Sequence, residues 1–399
     1  MSDARLILTR RMVAPALALV AVGGAAAAYG FFTAPGRAWL NLLVDSFYAL
    51  TLGVSAIFFF ATQRLTSARW SVALRRIPEA IMLTLPVAAA LMVVLWFGRH
   101  SLYPWADPAA AHEVAVGGKS TYLQPGFVAA RMALVLAVWT FFALRIRRAS
   151  LAQDADPTTG FGDRRRSLEG HGRLNVLGGA FAPIFAFTFT AAAYDWIISL
   201  EPEWFSTMFA VYVFAGAFVQ GIAAVTLVTV VLKRRGLVGA DVGHEQLHDL
   251  GKMLFAFSTF WAYIWVCQYL LIWYGNIPEE VTYYLRRTSG PWLLLFLANL
   301  AVNWIIPFGA LLSVRAKRSP RRLGAVCVLL LVGHWLDLYL MVMPSKWDAP
   351  QFGPIELLVA VGCGALLYLV VARNLSRAPL VPTNDPVLAA DRVSRGGEP

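Results

Sequence analysis

His334 and Asp337 stand three residues apart inside an otherwise apolar run of this 399-residue chain. On a helix that spacing puts an imidazole and a carboxyl on one face. Such a pair inside a membrane either packs helices by hydrogen bonding or passes protons. An earlier run opens with His248, Asp249 and Lys252 and carries Tyr263 and Gln268 further along. These seven residues, His248, Asp249, Lys252, Tyr263, Gln268, His334 and Asp337, are candidates for a proton path from one membrane face to beyond its middle, with His248, Asp249 and Lys252 at its mouth. Arg131 and Asp195 fall at comparable depth in two other runs and read as a structural ion pair. Asp45, Glu79 and Glu356 are further acidic groups at or near the ends of apolar runs.

Other chemistry lacks its residues. Cys267, Cys327 and Cys363 each sit in a different run, whereas iron–sulfur clusters need grouped thiolates and c-type haem needs Cys-x-x-Cys-His. Of six histidines only His334 lies deep in a run, so a bis-histidine haem has no ligand pair. There is no P-loop and no dinucleotide fingerprint. The sequence predicts no metal, haem, flavin or cluster on this chain and no catalytic residue of its own; redox centres would belong to partners.

The elements that position these groups follow from composition. The chain is 58% hydrophobic and 14% charged, against about a quarter charged in soluble domains. That excludes a disordered protein, a nucleic-acid module and an ordinary cytosolic enzyme. A helix needs about 20 apolar residues to span the hydrocarbon. Ten runs qualify: Met12–Phe32, Leu40–Thr62, Glu79–Phe97, Phe127–Leu144, Leu174–Ile198, Phe205–Leu232, Leu250–Tyr274, Pro291–Ser313, Leu323–Met343 and Gly353–Val371. The first is read as an uncleaved helix. The fold expected is an all-α polytopic membrane protein.

The net charge of +11 is topological. Of 34 Lys and Arg residues, 26 fall on the side of the two termini and six on the other. The positive-inside rule then places both termini in the cytoplasm and leaves no reason to invoke nucleic acid. Ala149–Gly172 reads as a mobile cytoplasmic loop, and residues 374–399 as a disordered tail beyond a membrane domain of residues 1–373. An internal echo points to two halves. Asp195 and Asp337 are each followed by Pro seven residues on, and by Trp204 and Trp347 shortly after. Helices three to six (about 79–232) and seven to ten (about 250–371) are expected as two four-helix bundles, with two extra helices.

Five stretches together resemble the ActF membrane protein of bacterial alternative complex III. They are Leu102-Tyr103-Pro104-Trp105, Glu201-Pro202-Glu203-Trp204-Phe205-Ser206-Thr207, His248-Asp249-Leu250-Gly251-Lys252, Trp273-Tyr274-Gly275-Asn276-Ile277-Pro278-Glu279-Glu280 and Gly333-His334-Trp335-Leu336-Asp337-Leu338-Tyr339. The resemblance covers about residues 40–373. It implies an NrfD-like fold in the bacterial inner membrane and a role in quinol oxidation, in a quinol:cytochrome c oxidoreductase of the respiratory chain. The family's partners would be a sister NrfD-like subunit holding the quinol site, an iron–sulfur subunit, haem c subunits and the quinone pool. This chain would be a scaffold without its own redox centre, not catalytic alone, with a proposed proton path. Two alternatives stay open: a stand-alone secondary transporter, and a quinol-oxidising anchor with its own quinone site.

Overall fold

The computed structural model describes residues 4–107, 119–155 and 164–394. Among these described residues ten helices are long and apolar enough to cross a membrane. They are α1 (Arg10–Thr33), α2 (Pro35–Leu65), α3 (Arg76–Phe97), α4 (Pro125–Ala155), α5 (Arg164–Trp196), α6 (Phe209–Arg234), α7 (His244–Gly275), α8 (Trp292–Leu311), α9 (Pro320–Val342) and α10 (Pro354–Ser376). No strand occurs among the described residues. The chain is an all-α polytopic membrane protein, and each of the ten apolar runs falls on one of these helices.

The helices outrun the apolar sequence at their basic ends. α4 continues to Ala155 and α5 already begins at Arg164, so most of Ala149–Gly172 is helix rather than loop; residues 156–163 lie outside the described residues. Hydropathy marks where a run leaves the hydrocarbon, whereas Arg, Ala, Leu and Gln go on favouring helix beyond it. Two spans are interrupted. α3 breaks at Leu83–Thr84 just before Pro86, and α8 carries a π turn over Ala301–Ile305 just before Pro307. Proline has no N–H to donate and crowds the carbonyl four residues back.

Packing groups the helices differently from expectation. α2, α3, α4 and α5 form one four-helix set, and α6, α7, α8 and α9 a second; α2 joins them by lying against α6 and α9. α1 pairs with α10, and α10 rests on α2 and α3. The expected bundles at 79–232 and 250–371 are therefore shifted by one helix. The physical reason lies in side-chain character. α2 buries Asn41, Asp45, Ser46, Thr51 and Ser55, which lipid would not solvate, so it takes a central place. α10 exposes Leu357, Leu358, Val361 and Tyr368 and sits at the periphery. The four-helix offset of the echo survives, since α5 and α9 each end a set.

Without a hydrophobic driving force between helices in lipid, close contact depends on small residues. At the α1–α10 crossing a Cβ built on Gly23 would stand 2.7 Å from the Gly362 Cα, so only glycine admits this approach.

The tail also departs from expectation. Leu380, Val381 and Leu388 are buried, Asp385 is 1% exposed, and Pro386–Ser394 is helical. The Leu380 N–H donates to the Ala4 carbonyl at 3.0 Å, so the two ends of the chain meet on one face of the helix array.

Candidate functional site

Asp337 is fully buried on α9 and receives three donors. The Tyr212 hydroxyl from α6 and the Asn299 amide from α8 (2.7 Å) reach Oδ1, and the Trp261 indole N–H from α7 reaches Oδ2 at 3.0 Å. All four helices of the second set thus contribute to one carboxyl site. Asn303 donates to Asn299 Oδ1 at 2.7 Å and to the Gly333 carbonyl at 3.0 Å, and the π turn over Ala301–Ile305 contains Asn303. Among the described residues no cation pairs with Asp337. His334, one turn away, is 1% exposed, and neither ring nitrogen has a hydrogen-bond partner. A Cβ on Gly216 of α6 would come within 2.9 Å of His334 Nδ1 and 3.2 Å of Asp337 Oδ2; glycine there lets α6 close on both groups.

The remaining residues of the predicted path do not all face this cluster. Lys252 pairs with Asp249 at 2.6 Å while its side chain stays 57% exposed. Tyr263 is 62% exposed. Lys252 and Tyr263 are eleven residues apart, and at about 100° per residue they share a helix face. That face points outward, opposite the buried stripe of Leu254, Ser258, Trp261, Trp265 and Gln268. Gln268 is buried with both amide atoms unpartnered, while His248 stays at the half-buried basic end. Leu250, Leu254, Val326 and Leu330 are buried on α7 and α9 between that end and His334, together with Gly251, Ser258, Cys327 and Gly333. The seven residues are therefore not one continuous line of contacts: Lys252 and Tyr263 lie on the outward face of α7, and the buried side chains between His248 and His334 are mostly aliphatic. Trp261 escapes a sequence reading because indoles in apolar runs carry no polar signal. Tyr212 and Asn299 are visibly polar, but nothing in sequence aims them at Asp337.

The equivalent carboxyl of the first set is held by charge. Arg131 donates to Asp195 in a bidentate pair, Nε to Oδ2 at 2.8 Å and Nη2 to Oδ1 at 2.9 Å, and its guanidinium lies 3.9 Å from the Tyr122 ring centroid. Beside it, Trp96, Arg99, Tyr103, Trp105 and Trp196 line a crevice with a cavity of about 20 Å³. That volume suits a water molecule and is too small for a quinone ring.

Two further polar groups lie at opposite ends. Toward the end opposite the termini Glu356 accepts from Arg37 at 2.5 and 2.6 Å, and Asp45 accepts from the Trp335 indole at 2.7 Å. At the basic end Glu79 is fully buried among Arg76 (2.6 Å), Arg147 (2.9 Å) and Arg75 (3.3 Å), and accepts from the Ser150 hydroxyl. Asp385 from the tail accepts from Arg75 at 2.6 Å. Burial alone would push the Asp385 carboxyl up, but His171 and the guanidiniums of Arg75 and Arg64 hold it well below the usual carboxylate range.

The segments that carry the family resemblance converge in part. Arg287, on the short helix Pro278–Thr288, donates to Glu201 at 2.7 Å and to the Leu340 and Met341 carbonyls at 2.9 Å. Trp204 stacks on Tyr283 with centroids 4.0 Å apart and donates to the Glu280 carbonyl at 3.0 Å. Fold and site together define a multi-pass helical membrane protein with buried carboxyls at two related positions. No protein-family model matches the chain, and no curated protein does.

Proposed function

We propose that this chain is an integral membrane component of a bacterial quinol-oxidising respiratory complex, similar to the ActF protein of alternative complex III. In this reading it sits in the inner membrane with both termini cytoplasmic. It carries no redox centre of its own, and haems and iron–sulfur clusters belong to partner proteins beside a sister NrfD-like protein. Its work is scaffolding, together with proton handling at the buried groups around His334 and Asp337.

One observation carries the reading. The Glu201–Thr207 stretch, the Glu280 end of Trp273–Glu280 and the Leu340–Met341 backbone just past Gly333–Tyr339, far apart in sequence, are tied into one outer rim through Arg287 and Trp204. In this reading the rim is the surface on which an extracytoplasmic partner docks. At Asp195 itself the crevice of about 20 Å³ leaves no room for a quinone ring. The stand-alone transporter is disfavoured by the parallel sense of the echo, since transporters more often carry inverted repeats.

The test is purification of the tagged chain from its native membrane in mild detergent. The expected result is co-migration with haem-staining and iron–sulfur proteins and a quinol:cytochrome c reductase activity. A chain that migrates alone, with no such activity in the fraction, overturns the reading.

A further inference from the structure

α2 carries Arg37, Asn41, Asp45 and Tyr48 at spacings of four, four and three, which is one stripe of a helix. The stripe begins at the outer rim, where Arg37 holds Glu356 and keeps 22% of its side chain exposed. It ends at Tyr48, whose ring lies 5.9 Å from that of His334. Between these ends five polar atoms are buried without a partner: both amide atoms of Asn41, Oδ2 of Asp45 and both ring nitrogens of His334. Asn41, Asp45 and His334 are each at most 2% exposed. Buried polar groups nearly always have partners, and hydrocarbon supplies none. Neighbouring unpartnered donors and acceptors are what an internal water uses, at about three hydrogen bonds each. The other groups facing Asp45 are the Trp335 indole, which occupies Oδ1, and Cys363, whose thiol lies 3.7 Å from the Asp45 carbonyl.

We propose that the seam between α2 and α9 holds a chain of waters from His334 to the Arg37–Glu356 pair, and that Asp45 is the carboxyl in it that takes up and releases a proton. The N–H bond of a protonated His334 breaks, its proton crosses through water, and an O–H bond forms at Asp45 Oδ2. Asp45 then returns the proton to water at the outer rim. This rests on the proton-handling part of the function proposed above, and it makes Asp45 rather than Asp337 the outer end of the route.

The full chain in lipid nanodiscs is labelled with radiolytic hydroxyl radicals, which mark side chains beside bound water. Tyr339, stacked on Trp335 and fully buried, and His334 are expected to label several-fold faster than Trp139, which is equally buried but packed among aromatic rings. Equal labelling means a dry seam and overturns the proposal, and this needs no variant. Infrared difference spectra over a pH titration, wild type minus Asp45→Asn, should show a carboxyl signal that shifts in heavy water; its absence overturns the role given to Asp45. In the reconstituted complex Asp45→Asn should lower proton release several-fold while quinol oxidation continues. A labelled seam and a titrating Asp45 in a chain that purifies without redox partners would uphold the hydrated seam and sink the respiratory reading. A dry seam in an intact complex would do the reverse.

Discussion

Asp195 and Asp337 occupy corresponding places in the two helix sets, yet Asp195 is gripped by a guanidinium and Asp337 by neutral donors alone. The residue from the preceding helix is Arg131 in one case and Asn299 in the other. One carboxyl is thereby fixed as half of an ion pair. The other is coordinated without a counter-charge, an arrangement suited to a group that changes its protonation.

Removing the charge of Asp195 should therefore destabilise. Asp195→Asn leaves Arg131 uncompensated, at a cost of about 3 kcal/mol, the low end for a buried pair, because Arg131 keeps 14% of its side chain exposed. Exchanging the two residues should recover part of the lost thermal stability in detergent. A swap no better than the single change would show that the pairing is not what holds α4 to α5.

Asn299→Leu should cost about 1–3 kcal/mol, because it strips a donor from Asp337 and leaves the Asn303 amide without its 2.7 Å acceptor. Asn299→Asp should be worse, since it sets one carboxyl against another. Thermal unfolding of the two variants in the same detergent ranks them; the reverse order would contradict the hydrogen-bond assignment.

Lys252→Met and Tyr263→Phe should leave proton release by the assembled complex within about twofold of wild type, as for surface changes. Both side chains point away from the buried face of α7. A large loss in either would restore the longer path that their helix positions argue against.

Acid should release the tail. The carboxyl of Asp385 is depressed in the folded state, so its stabilisation is complete above the unfolded carboxylate value of about 3.9 and fades as pH falls through the lower folded value. A spin label at Ala390 should stay immobile from pH 8 down to about 5 and gain mobility only below about 4. Asp385→Asn should give the mobile spectrum at neutral pH. A label already mobile in the wild type at pH 7 would mean that Asp385 does not anchor the segment.

Much of the fold is legible in the sequence because apolar length is a one-dimensional signal. Each of the ten spans can be read off a window of residues. Helix partners cannot, because what centres α2 is the sum of five modest polar residues, none of them a motif. The same limit separates the two carboxyl sites. Arg131 and Asp195 announce themselves as opposite charges at equal depth. The partners of Asp337 are a tyrosine, an indole and an amide on three other helices, and only the packing aims them at it. Tyr263 and Lys252 mislead because their residue types suit a proton path while their helix face does not. The tail misleads because its prolines and glycines hide a single buried aspartate.

The pairing of α1 with α10, sealed by the Leu380–Ala4 backbone bond, has a consequence for biogenesis. α1 finds its main neighbour only when α10 has been inserted. Until then its glycine-lined face has no permanent mate, and the emerging chain must be held in the bilayer as an open array. Closure thus waits for α10. Truncation anywhere before Pro354 would leave α1 without the helix it packs on most.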